Sequence, residues 1–173
     1  MKISFIRHGQ TNYNKQGLIT GHTDIPLNEE GLEQARKTSF DGLVFDHIYS
    51  SDLLRCKQTT EVINENLNLP VTYDARLKER NLGSLEGTAW EDMDEAMREN
   101  DKNQIFDYRP FGGESDQDTK ERVFGFIEEM KSKYPNGHIL VVTSGGIIRF
   151  LHNKLNKETH LFVHNAEVHE FEF

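Results

Sequence analysis

Ile3-Ser4-Phe5-Ile6-Arg7-His8-Gly9 is a short apolar run that stops on an arginine, a histidine and a glycine. Such a run, closed by a glycine, reads as a buried strand, so Arg7 and His8 arrive together where the strand ends. A second run, His138 to Thr143 with Ile139-Leu140-Val141-Val142 inside it, has the β-branched character of a strand buried on both faces. It ends on Ser144-Gly145-Gly146, and the glycines open a helix that carries Ile148, Phe150 and Leu151.

Between these two runs the pattern alternates. Asn28 is placed to cap a helix with Glu29 and Glu30 in its first turn, running to about Phe40. Phe45 to Ser50 reads as a strand, and a helix begins near Asp52 with Leu53, Cys56, Thr60 and Ile63 along one buried stripe. Pro70 to Tyr73 is an edge-like strand, and about Trp90 to Arg98 a weaker helix. Val123, Phe126, Ile127 and Met130 keep the 3.6-residue period until Pro135-Asn136-Gly137 ends that helix. Phe171 and Phe173 alternate with Glu170 and Glu172 as a half-buried terminal strand. Strands alternating with helices imply an α/β fold, a largely parallel sheet covered on both faces. Strand order does not follow from the pattern. Ligands of such sheets bind outside the carboxyl ends of the strands, where Arg7-His8 and Ser144-Gly145 both fall.

With 173 residues and no repeat or linker, the sequence is expected to form one domain over 1–173, burying about 70% of its unfolded surface. A net charge of -9 without a basic block argues against a nucleic-acid partner. No apolar run has the length of a signal peptide or a membrane span, so a soluble cytoplasmic protein without a membrane partner is expected. The single cysteine, Cys56, excludes an internal disulfide and falls on a core stripe. His160 and His164 have a ligand-like spacing, but the segment between them reads as extended, so no metal is expected there. Nothing in the pattern bears on oligomeric state. An anionic ligand of so acidic a chain requires arginines gathered into a local positive focus. Arg7 beside His8 suits phosphoryl chemistry: a guanidinium matches phosphate oxygens bidentately, and histidine is a nucleophile that is largely neutral near pH 7.

Four further blocks follow in order: Gln10-Thr11-Asn12-Tyr13-Asn14, Thr20-Gly21-His22-Thr23-Asp24-Ile25-Pro26-Leu27, Ser50-Ser51-Asp52-Leu53-Leu54-Arg55 and Leu77-Lys78-Glu79-Arg80-Asn81-Leu82-Gly83. Together with Arg7-His8-Gly9 they resemble the histidine phosphatase superfamily, from Met1 through Asn165. The resemblance implies a three-layer α/β/α sandwich of the phosphoglycerate mutase type, with a mostly parallel sheet and an antiparallel terminal strand. It also implies phosphoryl transfer from a small phosphorylated substrate without a cofactor. His8 would attack phosphorus, Arg7 and Arg55 would hold its oxygens, and Glu79 would protonate the leaving oxygen, provided burial raises its pKa. Asn14 would add a phosphate contact, while Thr20, Gly21 and Gly145 would line the site.

One position departs from the family. Where the family has a second active-site histidine followed by two glycines, this chain has Ser144. A hydroxyl is neutral and shorter than an imidazole, so turnover is expected to fall by about 10²–10³-fold, with phosphate affinity better preserved. His22 is a conceivable substitute. The stretch at about 84–115 resembles the family least and is expected to cover the site, with Trp90, Met93, Tyr108 and Phe111 forming either an apolar wall or a satellite core. The short chain suggests a phosphatase rather than a phosphosugar mutase. A non-catalytic phospho-ligand binder would need neither His8 nor Glu79.

Overall fold

The computed structural model describes residues 1–40, 42–156, 158 and 160–173. Five strands, β1 (Lys2–Arg7), β2 (His47–Ser50), β3 (Val71–Tyr73), β4 (His138–Thr143) and β5 (Val168–Glu172), form one sheet in the order β3-β2-β4-β1-β5. β1 through β4 are parallel, and β5 runs antiparallel to β1. The helices are α1 (Asn12–Gln16), α2 (Glu29–Lys37), α3 (Leu54–Leu67), α4 (Glu95–Lys102), α5 (Asp116–Lys133) and α6 (Gly145–Leu151).

Strand alternation divides the core into two layers. Ile3, Phe5, Ile139 and Val141 pack against Val123, Phe126, Ile127 and Met130 of α5 and Ile147, Ile148 and Leu151 of α6. Ile6, Ile48, Leu140 and Val142 point the other way, onto Ala35 of α2 and Cys56 and Ile63 of α3. The result is a three-layer α/β/α sandwich. Burial raises the Cys56 thiol pKa to about 11, so it serves as an apolar core residue. Ile19, Leu82, Met93, Phe106, Tyr108 and Phe150 form a third cluster beneath the 84–115 stretch. Met93 and Tyr108 thus belong to a satellite core, which Phe111 does not join.

Several boundaries differ from the sequence reading. The helix expected over Trp90 to Arg98 is two elements: a single 3-10 turn at Trp90–Asp92, then α4, whose start is fixed by the Asp94 carboxylate accepting from Ala96 N and Met97 N. α2 begins after Asn28 but stops at Lys37, because Thr38 turns extended. β2 begins at His47 rather than Phe45, whose ring leaves the strand line to pack edge-on against Phe40. α3 begins at Leu54, where Asp24 accepts from its backbone N–H at 2.6 Å and substitutes for a missing cap. α1 was not anticipated. Thr11 and Asn14 close a reciprocal capping box around it, and Gly17 ends it at φ 69°.

Candidate active site

β1 and β4 are in register, with Arg7 opposite Thr143, so their carboxyl ends are flush. His8 continues the ladder by donating its N–H to Thr143 O at 2.9 Å, and the chain then bends over α2. That bend needs two bare backbones. A Cβ on Gly9 would lie 2.3 Å from Gly31 O, and one on Gly31 would lie 2.1 Å from Gln10 O. Gly9 N also donates to Thr59 Oγ1 at 3.1 Å, tying the loop to α3.

The His8 ring is buried, and its tautomer follows from its neighbours. Nδ1 lies 2.7 Å from Gly9 O, which can only accept, so Nδ1 carries the proton. Nε2 then presents a lone pair, which accepts from Arg55 Nε at 3.1 Å. Burial first, then the charges of Arg55 and Arg7, hold the ring pKa well below 6.5. His8 is therefore a neutral imidazole with its lone pair in the crevice.

Arg55 comes from the first turn of α3 and is fully buried. Besides Nε, it donates from Nη1 to Thr23 O at 3.0 Å and from Nη2 to Gly21 O at 2.7 Å. Glu86 secures the same entrance loop, accepting from His22 N, Thr23 N and Thr23 Oγ1. His22 turns its ring to Glu79 O at 2.8 Å rather than into the cavity, which removes it as a substitute for the absent histidine. Arg7 donates from Nη1 to Val163 O at 2.6 Å, and its buried Nε has no partner among the described residues. Burial, with Arg149 and Arg55 nearby, lowers its pKa to about 10, so it stays charged near neutrality.

Glu79 is seated by main chain. Oε2 accepts from Gly146 N at 2.9 Å, and Oε1 from Arg80 N at 2.8 Å. A Cβ on Gly146 would lie 2.1 Å from Oε1, so the seat depends on that glycine. Behind it, Arg122 of α5 donates to the carbonyls of Arg76, Lys78 and Glu79 and pairs with Glu114 at 2.6 Å. The expectation of a raised carboxyl pKa is not met. Burial alone would raise it, but Arg80, Arg149 and the two N–H donors outweigh burial and hold it at about 2. Glu79 is a carboxylate in this state.

One cavity of about 130 Å³ collects Arg7, His8, Asn14, Thr20, Gly21, Arg55, Glu79 and Gly145. Asn14 Oδ1 is occupied by Thr11 N, which leaves its amide N–H groups for the cavity. Ser144 is not on the wall. It is fully buried, and its Oγ faces the Cys56 thiol, a weak partner, with no nitrogen or oxygen partner among the described residues. The expectation of a short hydroxyl facing the reaction therefore fails, because α6 begins at Gly145 and the glycine main chain, not the Ser144 side chain, reaches the cavity.

Trp90 lines the cavity, as the apolar-wall alternative had it, whereas sequence reasoning missed Arg80, Gly146 and Arg149 as cavity residues. Arg149 had a signal, being the one polar side chain in Gly145–Leu151. Arg80 donates to Asp101 at 2.6 Å, and Tyr108 completes that buried carboxylate's contacts. Arg7, Arg55, Arg80 and Arg149 thus outnumber Glu79 and Asp101, the carboxylates that line this cavity and the one adjoining it, four to two, inside a chain of net charge -9. That surplus suits an anionic substrate. Among the described residues, no three His, Cys, Asp or Glu side chains gather into a metal site, and no helix is long and apolar enough to cross a membrane.

The sequence profile of the histidine phosphatase superfamily, branch 1, matches residues 3–173. A broad-specificity phosphatase of Saccharomyces cerevisiae is 35% identical over 170 residues, covering 92% of this chain and 72% of its own length. A 2,3-bisphosphoglycerate-dependent phosphoglycerate mutase of Parvibaculum lavamentivorans is 34% identical over 167 residues, covering 90% of this chain and 80% of the mutase. The crystal structure of TTHB049 from Thermus thermophilus superposes with a TM-score of 0.84 at 31% identity, over 100% of this chain and 94% of the other. The strand order, the paired strand ends and these relatives agree: the chain belongs to the histidine phosphatase superfamily.

Proposed function

We propose that this protein hydrolyses small organic phosphomonoesters through a phosphohistidine on His8. The observation that carries the reading is the His8 ring itself, fixed by Gly9 O so that a neutral Nε2 lone pair points among guanidinium groups. Phosphoryl transfer depends mainly on positioning and charge stabilisation, and this corner supplies both. As substrate binds, Arg55 Nε–H passes from Nε2 to a phosphoryl oxygen, and the freed lone pair attacks phosphorus in line while Arg7 and Arg55 hold its oxygens and the P–O bond to the alcohol breaks. Water then attacks the phosphohistidine and releases inorganic phosphate.

Glu79 protonates the departing alkoxide and later takes a proton from the attacking water. Because it begins ionised, its proton arrives with the substrate. A phosphomonoester monoanion carries one up to its second pKa of about 6, and the approaching phosphoryl charge raises the proton affinity of the carboxylate. Ser144 stands where the family has its second histidine, and turnover is correspondingly reduced.

The test is phosphate release from a panel of phosphomonoesters, together with recovery of an acid-labile phosphoprotein after rapid quench. His8→Ala is expected to abolish the labile species and cut release by at least about 10⁴-fold. Undiminished release, or phosphate binding without turnover in the unsubstituted protein, would overturn the reading.

A further inference from the structure

The cavity holding His8 opens into a larger one of about 660 Å³, and the two share Arg7, Asn14, Leu18, Ile19, Trp90 and Arg149. The larger cavity is walled by Leu18, Ile19, Trp90, Leu161 and Phe162, with Phe162 68% exposed. Its charged members are unequal. Asp101 is committed to Arg80 and Tyr108, and the half-exposed Lys102 lies 3.7 Å from Glu99.

Arg149 differs from every other arginine of the site. Arg7 donates to Val163 O, Arg55 to Gly21 O and Thr23 O, and Arg80 to Asp101. The Arg149 guanidinium, partly buried at the junction of the two cavities, acts on Glu79 and Asp101 only through space and makes no hydrogen bond and no ion pair among the described residues. A guanidinium with its whole fork of donors free, walled by apolar side chains, is a fit for a carboxylate.

We propose, resting on the phosphomonoesterase reading, that the larger cavity receives the alcohol portion of the substrate and that Arg149 there pairs with a carboxylate on an apolar, ring-sized body. The transferred phosphoryl oxygens already meet Arg7 and Arg55 beside His8, so Arg149 is left for the second anion. A three-carbon polyol would fill little of the space and would set hydroxyls against Leu18, Ile19 and Trp90, whereas a ring buries them.

The experiment uses a matched pair, 4-carboxyphenyl phosphate and phenyl phosphate, with their phosphonates as non-hydrolysable counterparts. Trp90 is the single tryptophan of the chain and lines both cavities, so its fluorescence reports phosphonate binding without turnover. The carboxylated member of each pair is expected to be favoured by about 10–100-fold, the strength of one charge-assisted contact. Arg149→Met should erase that ratio, and Arg149→Lys should restore part of it. A ratio near one in the unsubstituted protein overturns the inference whatever the variants do. Equal losses on both members in Arg149→Met also overturn it, by placing Arg149 on the phosphoryl group. Discrimination between the phosphonates without His8-dependent turnover would support the subsite while refuting the phosphomonoesterase reading. His8-dependent turnover without discrimination would do the reverse.

Discussion

The ends of β1 and β4 lie side by side, Arg7 against Thr143, yet they serve the crevice in opposite ways. β1 presents side chains: both ring nitrogens of His8 are engaged, and Arg7 follows the sheet into the cavity. β4 presents main chain. Gly146 N seats Glu79, Gly145 lets the Arg7 side chain pass within 3.1 Å of where a Cβ would stand, and the Ser144 side chain turns inward to Cys56. Identical backbone geometry therefore fixes where chemistry can occur without fixing what each strand end contributes. That depends on one side chain at each end and on whether its polar atoms find partners.

After loss of the nucleophile itself, the largest effect should come from the group that β4 seats. Glu79→Gln is expected to lower hydrolysis of alkyl phosphates by about 10²–10⁴-fold and to affect aryl phosphates far less, because a phenolate leaves without help. Steady-state rates on one alkyl and one aryl phosphate check this. Equal losses on both would mean that the β4 end only holds shape. Next in size is Ser144→His: an imidazole is too large for the closed space beside Cys56 and would have to turn toward the cavity, where a cationic donor should raise turnover by about 10²–10³-fold. An unchanged rate would show that nothing is asked of that side chain.

A smaller effect tests the β1 end through pH. Because burial and the neighbouring arginines lower the His8 pKa, the ring stays neutral as pH falls through 6.5, and no acid loss appears there. Above about pH 6 the substrate monoanion is depleted, so kcat/KM should fall by about tenfold per unit. An acid limb centred near 6.5 would mean that the arginines do not act on His8.

The same contrast explains what could be read from sequence. Ile3 to Ile6 and Ile139 to Val142 announce their strands because an apolar run of that length has few other uses, and the polar residues after each run had to fall at strand ends. Asn28 and its two glutamates marked α2 through local capping alone. Strand order was out of reach, since β4 enters between β1 and β2 through contacts remote in sequence. The helix near Trp90 slid toward Asp94 because a cap, not hydropathy, set its start. Glu79 kept a low pKa because Arg80, Arg149 and Gly146 N converge on it from separate elements. The inward turn of Ser144 depended on packing against α3, which no local pattern encodes.

The smallest effect is the sharpest test of the inward turn. In the structure Ser144 Oγ is buried against the Cys56 thiol, with no nitrogen or oxygen partner among the described residues, and lies off the cavity wall. A thiol is a weak partner that does not offset the desolvation of a buried hydroxyl, so Ser144→Ala should stabilise the protein by about 1 kcal/mol. For a chain of this size that corresponds to a rise in Tm of about 2–4 °C. Phosphate release should change by less than about twofold, since the atom removed touches neither His8 nor the arginines. A fall in Tm would show that the contact with Cys56 Sγ outweighs the desolvation of the hydroxyl. A loss of turnover at unchanged Tm would show that it reaches the reacting group, and the β4 end would then contribute by side chain as β1 does.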